Sequence, residues 1–188
     1  MKFFAPLAML AASAIATPTG GNGWKNWQQN GCVSQDYVQH VVNQSIIFLQ
    51  HTDQAAGKAA ALSILDPDIV EFGDSINSLK GDKLGTQVEF NRTTYVENTL
   101  STPPIAKIDS VALTYGCQEY MWQWRFYGIG GPQAVNPWVG GFTHAKFNPA
   151  NGLVNYHYVE FNSLAWGENL GYVVTLPESY GGGILPPS

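Results

Sequence analysis

Two stretches in the second half of the chain limit what it can fold into: EYMWQWRFYGIGG at 119–131 and GGFTHAKFNPANGLVNYHYVEFNSLAWGENLGY at 140–172. In both, large aromatic rings recur with a period of two, the spacing of a pleated strand whose successive side chains face opposite sides. Tyr, Trp and Phe also suit half-buried sheet positions. Six Trp and nine Tyr in 188 residues are more amphipathic rings than packing alone requires, so long antiparallel strands curling around something apolar are expected.

The first half reads differently. Residues 17–31 are rich in Gly, Asn and Gln without a period, and are expected to form an arm pinned by Trp24 and Trp27. From Ser34, an N-cap residue followed by Asp36 in the first turn, Val38, Val41, Val42, Ser45, Ile46 and Leu49 recur at helical spacing. Asp53 caps a second, Ala-rich helix that runs to about Leu65 and stops at the Pro67 turn. A strand is expected over 69–75, a loop over 81–85 and a third helix over 89–100, ended by Pro103 and Pro104. Strands follow over 105–116, 119–127, 142–147 and 153–161, the last two joined by Asn-Pro-Ala-Asn-Gly at 148–152. Helices first and a sheet after make an α+β fold, with a loose Gly- and Pro-rich tail over 177–188.

Residues 1–16 read as a secretion signal: Lys2 gives a positive start, 3–10 an apolar run, and Ala14, Ile15 and Ala16 the small-x-small pattern before the cut. The mature chain then has the length of one domain, over 32–176. No later stretch reaches the roughly 20 apolar residues of a membrane helix. In an oxidising compartment Cys32 and Cys117 are expected to pair; the rival, free or metal-binding thiols, lacks any CxxC or neighbouring His spacing. Sequons at Asn43 and Asn91 place sugar on exposed helix faces if they are used.

A net charge of −5, with only 9 Lys and Arg scattered along the chain, speaks against nucleic acid or an anionic membrane as partner. Aromatic residues, at 13%, outnumber charged ones, at 12%, so the expected partner is a small apolar or aromatic molecule. HExxH, GxSxG, P-loop and dinucleotide patterns are missing, and no metal, nucleotide or flavin cofactor is expected.

The order helix, helix, strand, helix and then long antiparallel strands is similar to the nuclear transport factor 2-like cone, including its polyketide-cyclase (SnoaL-like) branch. QWRFYGIGG at 123–131 resembles the family's strand that runs into a Gly-containing bend, and NGLVNYHYVEFNSL at 151–164 resembles its final strand. DIVEF at 68–72 looks like its first strand, and 85–90 like the start of its third helix. The resemblance covers roughly 32–172, and the signal, cysteines and sequons look most like secreted members of filamentous fungi. It implies a strongly curved antiparallel sheet wrapped around helices, with a deep apolar cavity. Members range from cofactor-free cyclases, dehydratases and isomerases to ligand-binding and structural proteins, and they often pair through the outer sheet face, which leaves a homodimer open.

In the SnoaL-like cyclases an acid sits near the end of the last strand; the matching position here is Asn162. An amide cannot take a proton at neutral pH but can orient a carbonyl or hydroxyl, and scytalone-dehydratase-like members have a pocket amide near this place. If Asn162 faces inward, period two brings Glu160, Tyr158 and Tyr156 to the same face, and the hairpin sets His144 and Phe142 opposite them. His144 and Glu160 then form the leading acid–base pair, and His157 is the substitute, because a one-residue slip exchanges the faces. The plainer alternative has His144 satisfying a backbone carbonyl and Glu160 meeting Arg125 or Lys146. Trp122 and Trp124 floor the cavity or are ordinary core. Tyr37, between Asp36 and His40, closes the mouth or lies on a solvated helix start, and Asp74 at a strand end could point inward.

The expected function is that of a secreted, cofactor-independent lyase or isomerase, of dehydratase or cyclase type, on an apolar oxygenated aromatic or polyketide-like molecule. The alternative is a non-catalytic secreted ligand-binding or protein-interaction protein. Two polar groups aimed at one point of an open cavity would favour the first, and a plugged or wholly apolar cavity the second.

Overall fold

Ser34 and Asp53 start the first two helices as caps. The Ser34 hydroxyl accepts from the Tyr37 N–H at 3.3 Å, and the Asp53 carboxylate accepts from Ala55 and Ala56 at 2.8 and 3.1 Å. The computed structural model describes residues 28–29, 32–130 and 138–173, with positions 175, 179, 182 and 183. The expected leader, Trp24 and Trp27, and most of the arm and tail lie outside the described residues. Helix α1 (Gln35–Gln50) buries Tyr37, Val38, Val41, Val42, Ser45 and Phe48 along one face. Against it lies α2 (Gln54–Ile64), whose Gly57, Ala60 and Ala61 permit close approach: a Cβ on Gly57 would sit 2.8 Å from the His51 Cβ.

After the two-residue strands β1 (Gln28–Gln29) and β2 (Cys32–Val33), the main sheet comprises β3 (Leu65–Phe72), β4 (Gln87–Glu89), β5 (Lys107–Tyr115), β6 (Glu119–Tyr127), β7 (Val139–Phe147) and β8 (Val154–Phe161). Its order is β4-β3-β8-β7-β6-β5, curved and not closed. Neighbours run antiparallel except β3 and β8, which are parallel, so the sheet is mixed. Among the described residues three short helices follow: α3 (Asp74–Lys80), α4 (Arg92–Ser101) and α5 (Ser163–Asn169). Of these, α3 begins within the strand expected over 69–75, and α5 follows the last expected strand. The third expected helix begins only at its Asn91 cap, because Gln87–Glu89 pairs with β3 instead. Pro67 does not block β3; it sits exposed in a stretch where the β3–β8 register shifts, so the ring costs no ladder hydrogen bond.

Strand β6 fixes the faces. Tyr120, Trp122, Trp124 and Phe126 are buried, and Glu119, Met121, Gln123 and Arg125 are exposed. Trp124 stacks on Phe126 with centroids 3.7 Å apart. The disulfide Cys32–Cys117 joins β2 to the β5–β6 turn, and the Val33 N–H donates to the Cys117 carbonyl at 2.8 Å beside it. The bridge therefore ties the chain ahead of α1 to that turn, where a link from the first helix to a central strand is expected.

Curvature leaves no room on β7 next to the Trp124 ring. A Cβ on Gly141 would lie 2.5 Å from the Trp124 Cη2 and 2.7 Å from the Glu160 carbonyl oxygen, a ring and a backbone that cannot both give way. Gly141→Ala is therefore expected to lower the unfolding free energy by about 1–3 kcal/mol, the usual cost of overpacking, read as a lower denaturant midpoint at constant slope. An unchanged midpoint would show that the Trp124 ring is free to move.

Candidate active site

The concave face of the sheet, α1, α3, α4 and α5 enclose a cavity of about 650 Å³. Most of its wall is apolar: Phe48 and Leu49 from α1, Ile76 and Leu79 from α3, Trp122, Trp124 and Phe126 from β6, Trp166 from α5. The two strand indoles spend their only donors within the sheet, Trp122 Nε1 on Ser110 Oγ at 2.9 Å and Trp124 Nε1 on Thr143 Oγ1 at 3.1 Å, and so contribute no free N–H to the cavity.

Polar groups gather at one end, and the sheet register puts them there. Glu89 of β4 lies directly opposite Glu71 of β3, and Glu71 opposite His157 of β8. The row continues through Ala145 to Tyr120. All three titratable side chains are buried, at 7%, 5% and 6% exposure for Glu89, Glu71 and His157, and all line the cavity. From α4, Tyr95 reaches over this row. Its hydroxyl hydrogen-bonds with the Glu71 carboxyl, and its ring meets the His157 ring edge-on at 5.8 Å. One turn further along α4, the Asn98 amide donates to Glu89 Oε1 at 2.7 Å.

Burial sets the protonation of this cluster. Loss of water, reinforced by the charge of Glu89, pushes the Glu71 carboxyl up to about 8 against the weaker opposing pull of Tyr95 and Lys80, so it is a neutral acid at pH 7. Burial lowers His157 to about 4, leaving a neutral imidazole. Neither ring nitrogen of His157 has a hydrogen-bond partner among the described residues. Burial and then the Glu71 charge hold the Tyr95 phenol well above its usual value, so it stays a donor. A proton donor and a proton acceptor thus stand on adjacent strands in a largely apolar, ring-lined space. Among the described residues no group of three or more His, Cys, Asp or Glu side chains is arranged to hold a metal ion.

A family model for the NTF2-like domain matches residues 31–173. The chain belongs to the NTF2-like family. No curated protein matches it in sequence. Among solved structures, a protein proposed to be an isomerase from Rhodopseudomonas palustris is 11% identical with a TM-score of 0.52, over 72% of this chain and 96% of that one. A protein of unknown function with a cystatin-like fold from Methylobium petroleophilum PM1 is 12% identical, TM-score 0.51, over 69% and 78%. A protein proposed to be a SnoaL-like polyketide cyclase from Jannaschia sp. CCS1 is 12% identical, TM-score 0.50, over 70% and 92%. At such identities these likenesses show the cone fold alone.

Within this NTF2-like cone, the face expected to line the cavity from β8 is the outer one. His144 lies outside, its Nε2 3.0 Å from Glu119 Oε2. Phe142 and Tyr158 are 39% and 36% exposed, and Tyr156 packs outside against Phe72 and under the Lys146 ammonium. Glu160 accepts from the Asp74 and Ser75 N–H groups at 2.9 and 3.1 Å and from the Ser75 hydroxyl, and so caps α3 in place of Gly73, which has no side chain. Partial burial alone would raise its pKa, but these hydrogen bonds and one from Tyr158 outweigh it and hold the carboxyl below the ordinary value. Asn162 lies beyond the strand and caps α5 through the Ala165 N–H, so it cannot set the phase of β8. Tyr37 donates to the Gly152 carbonyl at 2.8 Å, and Asp74 accepts from the Gly85 N–H; neither lines the cavity. His157, Trp122 and Trp124 do. Asn43 is exposed on α1, and Asn91 is the part-buried cap of α4.

These protonation states make stability depend on pH in opposite senses. Glu71, raised in the fold from 4.5 to about 8, contributes stability that is complete below 4.5 and lost as pH rises through 8. His157, lowered from 6.5 to about 4, contributes stability that is complete above 6.5 and lost as pH falls through 4. Between 6.5 and 8 only Glu71 acts, and Glu71→Gln should flatten the decline in unfolding free energy across that window. A wild-type curve already flat there would mean that Glu71 is ionised in the fold.

Proposed function

We propose that this NTF2-like protein is a secreted small-molecule pocket protein, and that its cavity performs cofactor-free proton transfer, of the lyase or isomerase kind, on a largely apolar ligand bearing a carbonyl or hydroxyl oxygen. The observation that carries this reading is the juxtaposition of a protonated carboxyl, Glu71, with a neutral, unpartnered imidazole, His157, at the polar end of an open aromatic cavity. The leader at 1–16 and the Cys32–Cys117 bridge support passage through an oxidising compartment.

The groups divide the work by their protonation. His157 removes a proton from a carbon of the ligand, and the electron pair left behind forms the new double bond. Glu71 delivers its proton to the oxygen that takes up charge, either a carbonyl that becomes an enol or a hydroxyl that leaves as water. His157 then returns its proton to the Glu71 carboxylate on the neighbouring strand, and the starting state is restored. Tyr95 holds the Glu71 carboxyl in place, and the Trp122 and Trp124 rings keep water from competing for the proton.

This division predicts a bell-shaped pH profile. Activity requires unprotonated His157, which fails below about 4, and protonated Glu71, which fails above about 8. With a substrate found by screening apolar ketones and β-hydroxy ketones, Glu71→Gln should lower kcat by roughly 10²–10⁴, the usual worth of one positioned acid or base, and remove the alkaline limb. Full turnover in both Glu71→Gln and His157→Gln would overturn the catalytic reading. Binding without turnover in the wild type would leave a ligand-storing protein.

A further inference from the structure

We propose that, besides the oxygen on which Glu71 acts, the ligand carries a protonated nitrogen, an ammonium on an apolar body, with the Glu89 carboxylate as its counter-charge. The inference rests on the pocket described above and names the chemical class that fits it.

A count of donors and acceptors at the polar end supports it. The Glu89 carboxylate, 7% exposed, takes one hydrogen bond, from the neutral Asn98 amide. Among the described residues it forms no ion pair with a Lys, Arg or His. Lys80, which also lines the cavity, is the weakest influence on Glu71, and its ammonium turns outward to Asp82 at 3.6 Å. Arg92 donates to the Leu65 carbonyl at 3.0 Å and acts on Asp66, away from the pair. A buried carboxylate with no cation is a costly arrangement unless a bound partner supplies the charge.

The remaining groups are neutral. Glu71 and Tyr95 are engaged with each other, and His157 offers one unpartnered N–H and one unpartnered acceptor nitrogen. Glu89 is thus the anion of the row, with an acceptor nitrogen near it on β8. A ligand carboxylate would bring a second negative charge beside Glu89, and an alcohol would satisfy one acceptor only. An ammonium brings the missing positive charge and up to three donors, enough for the Glu89 oxygens and an acceptor nitrogen. The walls agree, since the faces of Trp122, Trp124, Tyr95 and Tyr120 carry negative quadrupole potential that attracts a cation. The chain's net charge of −5 draws cations towards it.

The proton-transfer pair and the counter-charge are separate residues and can be tested separately. Three probes of one shape serve: 2-naphthylmethylamine, 2-naphthylmethanol and 2-naphthoate, titrated into the full chain at pH 7 by calorimetry. The amine should bind about tenfold or more tightly than the alcohol, and the carboxylate weakest, since a hydrogen-bonded buried charge pair is worth at least the ~1.4 kcal/mol that tenfold represents. Glu89→Gln, which keeps an oxygen for Asn98, should erase the amine's advantage and leave the alcohol's affinity unchanged. Glu71→Gln should leave the ranking intact. An alcohol that binds as well as the amine to the wild-type protein, a comparison that needs no variant, overturns the inference while the pocket reading stands. Failure of all three probes to bind overturns both.

Discussion

The parallel pairing of β3 with β8 is the constraint on which the site depends. It brings Glu71 and His157, far apart in sequence, to directly opposed positions, and a slip of one residue would turn one of them out of the cavity. Parallel strands have no hairpin to fix their register, so side chains do it at both ends. Near the start of β3, the Asp66 carboxylate accepts from the Asn148 and Asn151 amides, at 2.9 and 2.8 Å, and so holds the β7–β8 turn. Past its end, Glu160 of β8 holds the first backbone N–H groups of α3. The clamps lie outside the pocket, and the pair they align lies inside it.

This explains why the most obvious acid on the last strand is not in the pocket. Glu160 is a structural anion: a helix that begins at Gly73 has free N–H groups and a positive end but no capping side chain, and the neighbouring strand supplies one. An acid on an inner strand can serve either chemistry or register. Here the hydrogen bonds that lower its pKa mark the second use, and the burial that raises Glu71 suits it to the first in the proposed reading.

The fold is legible in the sequence because it rests on patterns longer than one element. Helix caps at Ser34 and Asp53 and the alternation of β6 are repeated signals, and both appear as read. The site was hidden for a local reason. The expected phase of β8 hangs on Asn162, one residue past the strand, where a helix cap replaces period two. The alternation in β6 is the better guide: Tyr120 and Trp122 face in, the register carries that face to Ala145 and Thr143 on β7, and thence to His157 and Val159. Glu71 has a signal too, since it shares the parity of fully buried Ile69 and is therefore a carboxyl on a core-facing position. Glu89 and Tyr95 have none, because β4 is three residues long and reads as the start of the helix that follows.

Two buried histidines show where the fold departs from its own economy. His51, 4% exposed, has Nδ1 3.1 Å from the Phe48 carbonyl and Nε2 3.0 Å from the Thr102 carbonyl, so its ring N–H finds a backbone acceptor at the end of α1 in either tautomer. His157, 6% exposed, has no such partner among the described residues, and beside it a carboxyl is held protonated by burial and by a second carboxyl. Val or Leu at those three positions would extend the surrounding aromatic wall and remove every one of these penalties. A fold that satisfies its buried indoles and gives the His51 N–H an acceptor, yet leaves a row of three ionisable groups facing an open cavity, has stability withheld at one place. That place is where the proposed ligand would complete the missing contacts.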